Sequence, residues 1–286
     1  MKAPRPLKVP VDAVYSFLDD HAMTLAAALA YYTTLSLAPL LLILLAIAGA
    51  LGPNVHKDLI NQVESLAGPK AGAAIGAVMH SVEGQNKRAS VLSFIIGIVA
   101  LLVSATGVVG QLQYSLNTIW GVESKPGQVV QDWFRKRLIS LAMILGVGFV
   151  LLASLVVTAA TNIFLPKLES NWRAVEFVIS VAVYAVLFAG MFKFLPDVKI
   201  GWTDVWIGAV ITAGLFAIGK YGIGKYLGYS SIGSSYGAAG SIVIILVWVY
   251  YASVILLFGA EVTRAYARAY DRKVVPESHA KWAPGT

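Results

Sequence analysis

The chain contains no cysteine. That single absence removes disulfide frameworks, thiol nucleophiles and Cys-based metal sites. Charge is nearly as scarce: 13% of the 286 residues are Asp, Glu, Lys or Arg, against roughly 25% in an average soluble domain. Only 15 residues are acidic, and the four histidines, His21, His56, His80 and His279, stand far apart and never form H-x-H. Metal-dependent hydrolysis needs clustered histidines and carboxylates, so no catalytic and no metal-binding constellation is expected. Phosphate-binding loops are missing too. Gly219, Gly222 and Gly224 do not make G-x-G-x-x-G, and Gly224-Lys225 is followed by Tyr226 where a Walker A loop needs Ser or Thr, so neither a nucleotide cofactor nor ATP-driven work by this chain alone is expected. The first twenty residues hold Pro4, Pro6, Pro10 and several charges in place of an apolar run, so no cleavable leader is expected there.

What is abundant is apolar surface. Hydrophobic residues make up 58% of the chain, more than the roughly 45–50% of soluble domains. They are also segregated into long runs. From Tyr226 to Ala260 there is no charged side chain, and about 20 apolar residues suffice to cross a bilayer as a helix. Six such segments are expected, at about 23–51, 89–120, 138–164, 174–195, 204–225 and 238–262. The predicted fold is therefore all-α: a polytopic membrane protein with six transmembrane helices plus amphipathic surface helices.

Between the spans the pattern is amphipathic. Residues 1–10 read as a loose basic tail with Lys2, Arg5 and Lys8, followed by a short interfacial helix carrying Val11, Val14, Tyr15 and Leu18 at helical spacing. Residues 1–22 thus form one unit, 23–266 the membrane domain, and 267–286 a cytoplasmic tail. The connector 54–87, with Val55, Leu59, Ile60, Val63 and Leu66 before the Gly68-Pro69 break, reads as two amphipathic helices capping the outer face. With six spans, fourteen of the 22 Lys and Arg residues fall on the side of the termini and eight on the other. The positive-inside rule then puts both termini in the cytoplasm, and the net charge of +7 is expected to meet anionic headgroups, with nucleic acid a distant second and no nucleic-acid partner expected.

Several blocks together resemble the YihY/BrkB family of bacterial inner-membrane proteins: LAAALAYYTTLSLAPLLLILLAIAG at 25–49, NTIW at 117–120, FLPD at 194–197, and YGAAGSIVIILVWVYYASVILLFGAE at 236–261. The resemblance covers nearly the whole chain. It implies a six-helix protein of the inner membrane. Members have carried the label ribonuclease BN, generally regarded as misassigned, and others are linked to serum resistance or to lipopolysaccharide or lipid movement.

Ionisable groups at membrane depth are costly and mark candidate sites. Glu176, Lys220 and Lys225 are expected toward the outer ends of the fourth and fifth spans, and Lys193, Glu261 and Arg264 toward the inner end. The expected pairs are Glu176 with Lys220 or Lys225, and Lys193 with Glu261, gating a cavity. The competing reading is that these side chains snorkel to headgroups or hold the bundle together. Tyr32, Ser36 and Pro39 share one face at a proline kink, and Asn117 belongs to a small-and-polar face of the second span; each either lines a pathway or fills a packing notch. The expected function is movement of a lipid or lipid-linked envelope amphiphile, with membrane lipids as partners and small-residue faces that admit a homodimer. A non-transporting envelope scaffold is the alternative, and a ribonuclease a distant third.

Overall fold

A computed structural model describes residues 5–51, 87–125, 172–229 and 240–284. Among them the chain is largely helical: α1 (Arg5–Asp19), α2 (Ala22–Leu51), α3 (Lys87–Trp120), α4 (Trp172–Phe194), α5 (Trp202–Tyr229) and α6 (Gly240–Ala269). Four short strands accompany them, β1 (Val122–Ser124), β2 (Val198–Lys199), β3 (Val275–Pro276) and β4 (Ala280–Trp282). Trp202–Gly219 in α5 and Val243–Ala269 in α6 are long and apolar enough to cross a membrane. The expected third span at 138–164 and the cap at 54–87, apart from Lys87, lie outside the described residues; of the Gly-rich loop that the sequence suggests for 226–237, residues 226–229 continue α5 instead.

The chain divides into two compact units. One comprises residues 26–111 and 219–253. In it Tyr32 of α2 lies over Gly107 of α3, 3.2 Å from where a Cβ would stand. Gly219 of α5 likewise leaves room for the Tyr251 ring of α6, which stacks on Trp248 at 6.2 Å.

The other unit comprises residues 1–25, 112–218 and 254–286, and it contains the constellations described below. Here α1 begins at Arg5, earlier than the loose tail expected for residues 1–10. Pro6 falls in the first turn, where a helix has no use for its N–H and the fixed φ helps. The helix also carries an apolar face besides the one expected, and this one meets protein. Val9, Ala13 and Phe17, four residues apart, pack against Val262 and Ala265 of α6 beside Phe258, Tyr266 and Ala269, and the Phe17 and Phe258 rings meet edge-on at 5.8 Å. Val11, Val14, Tyr15 and Leu18 stay exposed as a second apolar strip. A helix whose polar wedge is this narrow has two faces to cover, and protein covers only one.

Between α5 and α6 the contact is reciprocal. A Cβ on Gly208 would run into Thr263, and a Cβ on Gly259 would run into Thr212. Each threonine hydroxyl donates to the carbonyl one turn back, Thr212 to Gly208 at 2.6 Å and Thr263 to Gly259 at 2.8 Å. Both helices thus present the same Gly-x-x-x-Thr notch, each seating the other's threonine. Close backbone approach over small residues is how apolar helices associate without a hydrophobic driving force. α4 packs alongside through Tyr184 and Phe188, whose rings meet Phe216 of α5 edge-on at 5.0 and 5.8 Å.

Residues after α6 are not a free tail. The helix stops in a Schellman arrangement, Arg272 N–H to Ala267 O at 2.9 Å and Asp271 N–H to Arg268 O at 3.2 Å, with Asp271 in the left-handed region at φ 51°. The chain then pairs twice. β3 runs antiparallel to β2, with Val198 opposite Pro276 and Lys199 opposite Val275. β4 runs antiparallel to β1, with Val122 opposite Trp282, Glu123 opposite Lys281 and Ser124 opposite Ala280. The segment 275–282 is therefore a strap joining the end of α3 to the link between α4 and α5.

Candidate functional site

Two buried polar constellations occupy this second unit. The first is centred on Asp197 of the FLPD turn, which is 1% exposed. Its Oδ1 accepts from Gln113 Nε2 at 3.0 Å and its Oδ2 from Asn117 Nδ2 at 2.8 Å. Gln113 and Asn117 are one turn apart near the end of α3, so both amides reach one carboxylate. The Asp197 N–H returns a bond to Asn117 Oδ1 at 2.8 Å, and His279 Nε2 lies 2.9 Å from Oδ1. Its backbone carbonyl accepts from Glu277 N–H at 2.9 Å. The strap is thus fastened to the core through the residue it covers. A buried carboxylate with this many donors is stabilised in place, and its saturation by protein groups makes it a clasp.

The strap's margins add charge. Lys281 Nζ meets Glu123 Oε1 at 2.8 Å, an exposed pair of small energetic weight. Lys125 Nζ donates to Ser278 O at 2.9 Å. Arg272 Nε lies 3.5 Å from Asp204 Oδ1 in the first turn of α5, where a helix N-terminus favours an acid.

The second constellation lies on the last turns of α6. Glu261 is 0% exposed, and neither of its oxygens meets a hydrogen-bond donor among the described residues. The closest cation is Arg264, one turn on, with Nη1 3.6 Å from Oε2. That same nitrogen already holds Asp20, in the turn between α1 and α2. The turn is made by His21 at φ 51°, with Thr24 N–H donating to His21 O at 2.8 Å. Arg268 and Asp20 both lie near enough to act electrostatically on Glu261. Asp12 of α1 acts in the same way on Arg268.

Of the residues singled out from sequence, Glu261, Arg264 and Asn117 stand in these two constellations. Lys193 does not pair with Glu261 as expected. Its Nζ donates to the Ile200 carbonyl and sits 5.4 Å from the Trp202 ring, because the turn after α4 brings that carbonyl back within its reach. Tyr32 packs on Gly107, and Ser36 Oγ donates to Thr33 O at 2.7 Å. Pro39, Glu176, Lys220 and Lys225 fall in α2, α4 and α5, with side chains outside the described residues. Sequence reasoning missed Asp20, Gln113, Asp197 and His279. The available signals were the Gln113/Asn117 spacing and the lone acid in FLPD, both legible only as half of a contact 80 or more residues away.

Two of these helices are long and apolar enough to cross a membrane, and relatives of this chain are membrane proteins. Residues 13–283 match the family described as Virulence factor BrkB, and this chain belongs to that family. A UPF0761 membrane protein of Vibrio atlanticus (strain LGP32) is 30% identical over 86% of this chain and 78% of its own. One of Psychrobacter sp. (strain PRwf-1) is 26% identical over 87% of this chain. The chain spans less than half of that relative, 46% of its length. A protein of Bacillus subtilis (strain 168) named ribonuclease-like protein YfkH is 25% identical over 89% of this chain and 92% of its own. No solved structure matches.

Proposed function

We propose that this protein is a six-span protein of the bacterial inner membrane, with both termini in the cytoplasm, that moves a lipid or lipid-linked envelope amphiphile without hydrolysing ATP itself. The observation that supports it best is the ionisable cluster folded into the end of α6: Glu261 fully buried, Arg264 8% exposed and engaged by Asp20. Charges of this kind inside an apolar helix are expensive and accompany substrate or ion pathways. The choice of a lipid rests on the family resemblance. The test is reconstitution into liposomes with fluorescent phospholipid and measurement of its appearance in the opposite leaflet. Transbilayer movement above that of empty vesicles, reduced in Arg264→Ala, is expected. Equal rates with demonstrably folded protein would overturn the reading.

A scaffold is favoured by a different observation, the strap that ties β1 and β2 together over a saturated carboxylate. It predicts inactive vesicles and loss of a bound envelope protein when the strap is deleted. The name of the Bacillus relative raises nuclease chemistry. Among the described residues no three His, Cys, Asp or Glu side chains converge, and His80 with Glu83, at H-x-x-E spacing, lies outside them.

A further inference from the structure

Asp20 and Glu261 face each other across Arg264. Both carboxyl groups converge on that one guanidinium, and two ionised carboxylates cannot hydrogen-bond to each other because neither has a hydrogen to donate. Like charges this close share a site only if one is neutralised. Arg264 is the local cation, and its Nη1 is committed to Asp20 while standing 3.6 Å from Glu261. That leaves Glu261 buried at 0% exposure, with neither oxygen served by a donor. An ionised carboxylate left that way costs several kcal/mol.

We propose that Asp20 and Glu261 form a buried carboxyl pair that binds one exchangeable proton. The proton sits on Glu261 and points to Asp20, while Arg264 neutralises the charge that Asp20 keeps. The charged groups facing the pair are accounted for element by element. From α1 and the turn after it come Asp12 and Asp20, and from α6 come Arg264 and Arg268. On the side of α5 the contact is Gly208 against Thr263. Access to water runs through Asp20, whose side chain is 23% exposed. Loss of the proton leaves two carboxylates competing for Arg264, and the loser is either buried bare or must pull away. Since Asp20 belongs to the turn that ends α1, deprotonation loosens α1 from Val262 and Ala265, the residues it packs against.

Dicyclohexylcarbodiimide tests this without any assumption about transport, because it modifies protonated carboxyls in apolar surroundings. The full chain in liposomes is treated across a pH series and digested, and the adducts are located by mass spectrometry. An adduct on Glu261 that declines as pH rises is expected. In Glu261→Gln that adduct disappears, and in Asp20→Asn, where an amide donor replaces the shared proton, it falls several-fold. The wild-type pH series needs no variant to fold. Absence of an adduct on Glu261 in folded protein, or labelling independent of pH, overturns the proposal. Protection by Na⁺ at constant pH also overturns it, by making the bound cation sodium.

Discussion

Asn117 shows how much one side chain can carry. It donates to Asp197 and accepts from the same residue's N–H, so Asn117→Ala removes two buried hydrogen bonds at once. Each is worth about 1–3 kcal/mol. The expected result is a lower thermal midpoint in detergent, with Asn117→Asp worse than its size suggests because it sets a second carboxylate against the first. Asp271 is a second residue-scale case. A β-branched side chain in the left-handed region is strained, so Asp271→Val is expected to cost about 1–2 kcal/mol and to raise protease sensitivity after Ala269. Neither role was readable from the chain alone. Asn117 was legible as a member of a polar helical face, and FLPD as a block, but the bond between them joins positions 80 apart in sequence. Glu261 and Arg264 were legible because charge is so rare here that any acid in an apolar run stands out. Asp20 was hidden by the opposite circumstance, lying in a short polar turn among Asp19 and His21 where an acid is unremarkable.

At the scale of helices, the Gly-x-x-x-Thr notches of α5 and α6 decide how closely the two can approach. Gly259→Val is expected to destabilise by about 1–3 kcal/mol through overpacking against Thr212, read as a shift of the denaturation midpoint. Thr212→Ala in the same chain should return part of that loss, since the two sites are in contact and their effects do not add. The apolar runs made these helices visible in the sequence, and their glycines and other small residues suggested faces that admit a homodimer. The structure gives two of those glycines a packing role: Gly208 and Gly259 are sockets. In α1 a second apolar face went unread for a related reason. Val11, Val14, Tyr15 and Leu18 have a fine helical spacing, and so do Val9, Ala13 and Phe17. Periodicity states that an apolar face exists; with two of them it does not say which one meets protein.

For the whole molecule, the absence of cysteine makes orientation directly measurable. With one cysteine introduced at exposed Val14 and, separately, at Lys281, a membrane-impermeant maleimide is expected to label both from the cytoplasmic side of inverted vesicles and neither from the outside of intact spheroplasts. Labelling of either from outside would reverse or break the six-span topology. Removing residues 274–286 is expected to lower stability by more than the exposed Lys281–Glu123 pair accounts for, because the Asp197 clasp loses His279 and two strand pairings with it. Hydrogen exchange at Val198 and Val122 would report the loss.

The strap has one more consequence, and it concerns order in time. Contacts between 122–124 and 280–282, and between Asp197 and His279, close loops of more than 150 and more than 80 residues respectively, while every helix forms from neighbours. Loop closure on that scale is entropically costly until the intervening chain is already compact. The strap can therefore fasten only after the helices between its anchor points have met. Until then Gln113, Asn117 and Asp197 sit as exposed polar groups at the end of an unfinished bundle. Closure of those two small sheets marks completion of the assembly, so a conformation-specific binder raised against 275–282 in its paired state would count finished molecules and ignore the rest.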